Sequence, residues 1–191
     1  MIVRWFKSEE VPVVGLNKLT EQQMLEAKRR RFRLSRDLLG LVGFVAICLL
    51  VSSIGGAITA TSVGTWYQTL QKPPFNPPDW VFAPIWATLY LLMAIAGWRV
   101  WRRAQFKLRW QALMVFAVQL GLNLAWSFLF FGLQRIDLAM FAIIILLLTI
   151  IANTSLFWRI DRLAGVFFVP YVLWVLYATA LNGSLWLLNS A

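Results

Sequence analysis

The chain has 191 residues, of which 60% are hydrophobic and only 14% charged, with a mean hydropathy of +0.70. A water-soluble domain of this size carries about 25% charged residues, so the composition excludes one and points to a membrane protein. Histidine is absent and Cys48 is the single cysteine, which removes the commonest general base, zinc ligand and proximal haem ligand, any disulfide framework and any thiolate metal cluster.

Residues 1–37 read as a basic cytoplasmic extension and residues 38–191 as the membrane domain. Nine of the 18 Lys/Arg lie before Leu38, and six of them fall between Lys28 and Arg36. The net charge of +10 invites a nucleic-acid reading. Clustered beside a membrane span, however, such charges bind anionic headgroups, each contributing roughly 1 kcal/mol. Membrane lipid is therefore the expected partner, and nucleic acid is not. Thr20, with Gln23 three residues on, has the spacing of a helix N-cap and predicts a short amphipathic helix leading into the first span. The first apolar run starts too late and is too long for a cleaved signal peptide.

Five segments lack any charged side chain: 38–58, 80–98, 110–134, 138–158 and 163–188. Each approaches or exceeds the roughly 20 residues that cross a bilayer core. The predicted fold class is an all-α membrane protein, a five-transmembrane-helix bundle. Between the first two spans, Trp66 to Trp80 form a loop dense in prolines and aromatics. Pro73, Pro74, Pro77 and Pro78 remove backbone donors and hold the chain extended, so the stretch is expected to be non-helical. Its aromatics suit a lid over an apolar site.

The links set the orientation. Arg99, Arg102, Arg103, Lys107 and Arg109 follow the second span, and Arg159 and Arg162 follow the fourth. The opposite links carry only Lys72 with Asp79 and Arg135 with Asp137. The N-terminus is expected in the cytoplasm of a bacterial-type cell membrane, with the proline-aromatic loop and the C-terminus outside.

No acidic residue lies within a span, which argues against proton-coupled transport. In the third span Gln119, Asn123 and Trp126 share one helical face; in the second Trp86, Tyr90, Met93 and Gly97 do; in the fifth Tyr171, Trp174, Ala178 and Asn182 do. Together these stripes suit a cleft for a flat apolar ligand, with Asn and indole N–H groups reading its polar edge. The same residues equally suit helix bridging by Asn and Gln and interfacial anchoring by Trp. Ala117, Gly121 and Ala125 form a small-residue stripe on another face of the third span, open to a homodimer seam or to packing within one chain.

Ordered motifs extend this reading. They are Trp66-Tyr67-x-x-Leu70-x-Lys72-Pro73, Asn76-Pro77-Pro78-x-Trp80, Pro84-x-Trp86-x-x-Leu89-Tyr90, Asn123-x-x-Trp126-Ser127, Asp161-Arg162-x-Ala164-Gly165 and Pro170-Tyr171-x-x-Trp174. In this order the chain resembles the tryptophan-rich sensory protein/translocator protein family (TspO/MBR, the peripheral benzodiazepine receptor family). The resemblance implies five helices with the first loop folded over a ligand cavity. It also implies binding of porphyrins such as protoporphyrin IX, with no cofactor required, a homodimer, and a role in tetrapyrrole homeostasis and stress signalling, with transport as a further proposal. By position it assigns ligand contacts to Trp66, Trp80, Trp86, Asn123, Trp174 and Ala178. The helical stripes add Tyr90, Trp126, Tyr171 and Asn182.

Two departures stand out. The segment after Asn182 lacks the Tyr and basic residue of the mammalian sterol motif, and Pro74 stands where relatives often have an aromatic. With no acid–base pair or metal set, no catalytic residue is assigned. The one enzymatic alternative is cofactor-free, light-driven porphyrin breakdown, and the bland alternative is a structural or partner-binding membrane protein.

Overall fold

The computed structural model describes residues 13–103 and 106–190, and their contacts divide the chain into two units, 1–39 and 40–191. Among the described residues, six α-helices follow one another: α1 (Val13–Ala60), α2 (Trp66–Thr69), α3 (Phe82–Arg103), α4 (Phe106–Ser127), α5 (Ile136–Ile160) and α6 (Arg162–Asn189). No strand occurs among the described residues. All but the four-residue α2 are long and apolar enough to cross a membrane.

In the first unit, helix runs through Thr20, so that residue does not start a helix as its spacing suggested. Residues 1–12 of the expected extension lie outside the described residues. Between Glu21 and Leu39 the apolar side chains Met24, Leu25, Phe32 and Leu34 are exposed among the basic cluster.

In the second unit, α5 packs along both α4 and α6, while α3 contacts α6 and α4. Phe157 sits at the centre of an aromatic core, 4.9 Å from Phe168 and 6.0 Å from Phe116. The α1 segment 40–60 touches this four-helix core mainly through side chains. Phe44 meets Phe116 edge-on at 6.0 Å and lies over Gly97, where a Cβ would stand 2.8 Å from its ring.

The α5–α6 corner is closed by a single residue. Asp161 accepts from Leu163 N at 3.1 Å, capping α6 at an N-terminus whose free N–H groups need an acceptor. Arg99 reaches the same carboxylate with Nε at 2.8 Å and Nη2 at 3.2 Å, and Arg103 with Nη1 at 3.1 Å, so α3 is fastened to the corner. Burial alone would raise this carboxyl. The Arg99 hydrogen bond and charge, Arg103 and the Leu163 N–H together outweigh it and hold the group below the usual carboxylate range.

A carboxyl depressed in the folded state contributes stability that is full above its unfolded value, about pH 4, and is lost as pH falls through the lower folded value. Thermal unfolding in detergent should therefore show a loss of stability on acidification below about pH 4. Asp161→Asn should flatten that loss and lower stability at neutral pH by about 1.5–3 kcal/mol. Identical pH curves for the two proteins would contradict this account of the corner.

The proline-aromatic loop is not wholly extended. One helical turn, α2, precedes the prolines, and a 3-10 turn at Asp79–Val81 follows them. Only the stretch holding the prolines themselves, 70–78, is non-helical, as their missing N–H groups require.

Candidate functional site

A cavity of about 330 Å³ lies between α1, α3 and α4, beside the two ends of the loop. That volume is at the lower end of small-molecule sites, which span roughly 300–1,000 Å³. Along α1 its wall is Ser52, Gly55, Gly56, Thr59 and Ala60, at i, i+3, i+4, i+7 and i+8, one face of a helix. Small side chains here keep α1 from filling the space. Phe82, Ala83, Trp86 and Tyr90 of α3 and Asn123, Trp126 and Ser127 of α4 form the opposite wall, with Val63, Asp79 and Phe131 at its end.

Asn123 organises the polar part. Its Oδ1 accepts from the Tyr90 hydroxyl at 2.8 Å, and its Nδ2 donates to the Tyr171 hydroxyl at 2.9 Å. An amide offers two donors and two acceptor positions, so one of each remains for the cavity that Asn123 lines. The Trp126 N–H donates to Asn182 Oδ1 at 3.2 Å, and Asn182 Nδ2 donates in turn to Ile136 O at 3.1 Å. Trp126 therefore offers its ring face rather than its N–H. Trp86 meets Tyr90 and Tyr171 through its ring, at 5.9 and 6.3 Å.

Beyond α4 the backbone widens into a π turn at Phe128–Gly132, marked by Leu133 N donating to Phe128 O across five residues. The extra residue per turn brings the consecutive Phe130 and Phe131 both inside. Phe130 stacks on Trp126 at 5.5 Å and meets Trp66 edge-on at 5.7 Å, while Phe131 closes the cavity. Gln134, with φ of 56°, adopts the left-handed conformation that ends the helical run.

The loop is fastened at many points. Ser62 Oγ donates to Phe131 O at 2.6 Å, and the Tyr67 hydroxyl donates to Asn76 Oδ1 at 2.6 Å. Burial, with smaller contributions from Asp79 and Tyr177, pushes the Tyr67 hydroxyl up to about 12, so it stays a donor throughout the physiological range. The Tyr177 hydroxyl donates to Phe75 O at 2.6 Å. Asn189 and Gln71 exchange two hydrogen bonds, at 2.9 and 3.0 Å, joining the loop to the last turn of α6.

The residues expected from sequence divide into groups. Trp86, Tyr90, Asn123 and Trp126 meet around the cavity. Tyr171 and Asn182 stand behind it, holding Asn123 and Trp126. Trp66 does not line it but meets Phe130, which stacks on the lining Trp126. Trp174 lines a separate open groove of about 540 Å³ between α3 and α6, with Pro84, Thr88 and Pro170 among its neighbours. Ala178 packs half-buried against the core, and Trp80 is 74% exposed. The fifth span was expected to form a wall, but its Tyr171 and Asn182 are engaged with α4, and α1 forms that wall instead. Ala117, Gly121 and Ala125 lie exposed on the outside of α4.

Residues 44–187 match the model of the TspO/MBR family. The chain belongs to that family. It is 42% identical to Protein CrtK of Rhodobacter capsulatus over 146 residues, which cover 75% of this chain and 91% of the relative. It is 34% identical to the tryptophan-rich protein TspO of Chlorobaculum tepidum over 160 residues, 82% and 99% of the two chains. It is also 36% identical to the translocator protein of Bos taurus over 150 residues, 76% and 87% of the two. With its five apolar helices, this TspO/MBR chain is a multi-pass membrane protein.

Proposed function

We propose that this protein binds a flat, largely apolar tetrapyrrole such as protoporphyrin in the cavity between α1, α3 and α4, and acts as a membrane sensor or regulator of tetrapyrrole levels. The observation that carries this reading is the juxtaposition of two indoles, a tyrosine and a partly free amide around an internal space whose α1 wall is built of small residues. Aromatic faces stack on a planar macrocycle, and the remaining N–H and lone pair of Asn123 pair with a polar group at its edge. The name translocator protein carried by one relative is in keeping with a ligand-handling role. Lacking histidine, the chain offers haem iron no imidazole, so metal-free porphyrin is the better ligand.

The loop supplies the signal in this reading. Its fastenings to α6 are exposed hydrogen bonds contributing about 0.5–1.5 kcal/mol each, while the Ser62 bond to the π turn is buried. A ligand that touches Val63 or Asp79 therefore shifts the α6-tethered part of the loop between tethered and released populations. The charge of the links supports a cytoplasmic N-terminus in a cell membrane, and the exposed stripe at Ala117, Gly121 and Ala125 supports a homodimer through α4.

Titration of the purified chain with protoporphyrin, followed by tryptophan fluorescence, tests the reading. Quenching that saturates at one ligand per chain is expected. Quenching that rises linearly, as with porphyrin dissolved in empty detergent micelles, would overturn it.

A further inference from the structure

Among the described residues lining the cavity, Asp79 is the one formally charged side chain. It stands at the start of the 3-10 turn that leads from the loop into α3, at the loop-side end of the space. Its Oδ2 accepts from Gln68 Nε2 at 2.6 Å, and Gln68 Oε1 accepts from Lys72 Nζ at 3.0 Å. The ammonium of Lys72 also lies 4.9 Å from the centre of the Tyr67 ring. The nearest cation of the loop is thus held one side chain away from the carboxylate, on Gln68, and does not line the cavity. A ligand edge seated at the loop side therefore has a negative charge beside it.

We propose that Asp79 is a specificity-determining residue, whose carboxylate disfavours ligands that present a carboxylate at the loop-side end of the cavity. It favours ligands whose edge there is uncharged, cationic or rich in hydrogen-bond donors. This rests on the reading of the cavity as the ligand site and narrows it. A porphyrin with two propionates would enter with its acid groups turned away from Asp79, or bind more weakly than the same ring with those groups masked. The other walls present hydroxyls, an amide, aromatic rings and small apolar groups, none of which discriminates between an acid and its ester by charge.

The test compares protoporphyrin with its dimethyl ester, the same macrocycle without the two negative charges, on the full chain in an uncharged detergent. Wild-type protein should bind the ester more tightly than the diacid, and the gap should narrow at high salt. Asp79→Asn keeps an acceptor for Gln68 Nε2 and removes only the charge. It should tighten the diacid about three- to tenfold while moving the ester less than about twofold, the scale of a screened repulsion at a partly wet entrance. Asp79→Glu should keep the wild-type discrimination. If the ester binds saturably but Asp79→Asn shifts both ligands equally, or neither, the inference falls and the cavity reading stands. If neither ligand binds the wild-type chain saturably, the cavity reading falls and takes the inference with it.

Discussion

Replacing Asn123 by leucine is expected to cost about 2–4 kcal/mol of stability and to weaken protoporphyrin binding more than about tenfold. Leucine matches the amide in size but makes no hydrogen bond. The Tyr90 and Tyr171 hydroxyls, now bonded to Asn123 from two other helices, would be left without it inside a membrane domain. A buried hydroxyl deprived of its partner costs about 1–3 kcal/mol, although hydrogen bonds between membrane helices average nearer 0.6 kcal/mol. The stability estimate takes the middle of that span for two groups. The ligand loses the one amide in the cavity wall, and the ring of Tyr90 loses the hydrogen bond that orients it. Thermal unfolding and fluorescence titration of the same preparation measure both effects. Unchanged values in both would mean that the hydrogen-bonded triad holds neither the helices nor the ligand.

A second large effect is expected at the α5–α6 corner. A Cβ at Gly165 would stand 2.6 Å from Cε3 of Trp158, and 2.9 Å from both its Cα and its Cβ. Rotating the indole relieves the first contact, but the backbone carbon has nowhere to go. Gly165→Ala is therefore expected to destabilise by about 3 kcal/mol, at the upper end of the range for overpacking. Gly43→Ala is the matched control, because a Cβ there meets nothing within 4 Å. That substitution is expected to be neutral or to stabilise by up to about 1 kcal/mol through helix propensity. Equal melting temperatures for the two variants would show that α5 and α6 do not approach as closely as this corner requires.

The spans were legible because charge is so costly inside a bilayer that its absence marks a helix almost by itself. The faces of α3 and α4 were legible for a related reason: Trp86, Tyr90, Asn123 and Trp126 repeat at helical spacing and converge as that spacing implies. The part played by α6 was not, since spacing tells which residues share a face but not which helix that face meets. Tyr171 and Asn182 are turned to α4 and hold its polar groups in place. The α1 wall is not legible in residue type, because Ser52, Gly55, Gly56 and Thr59 have little chemistry of their own and read as ordinary packing residues. Their regular spacing was the available signal. The π turn left no mark in the sequence, because one extra residue in a helical turn depends on packing around Phe130 and Phe131 rather than on residue type. Loop prolines correctly forbade helix where they stand, but their influence does not extend back to Trp66–Thr69.

Gly56 offers the most direct test that ligand occupies the space between α1 and α3/α4. It lines that space, and a Cβ there meets nothing within 4 Å, so a phenylalanine there is expected to leave the fold intact while its ring occupies part of the void. Protoporphyrin dimethyl ester should quench wild-type fluorescence saturably, and Gly56→Phe should weaken that binding more than about tenfold with little change in melting temperature. Equal affinity in a stably folded Gly56→Phe protein would place the ligand elsewhere and contradict the account.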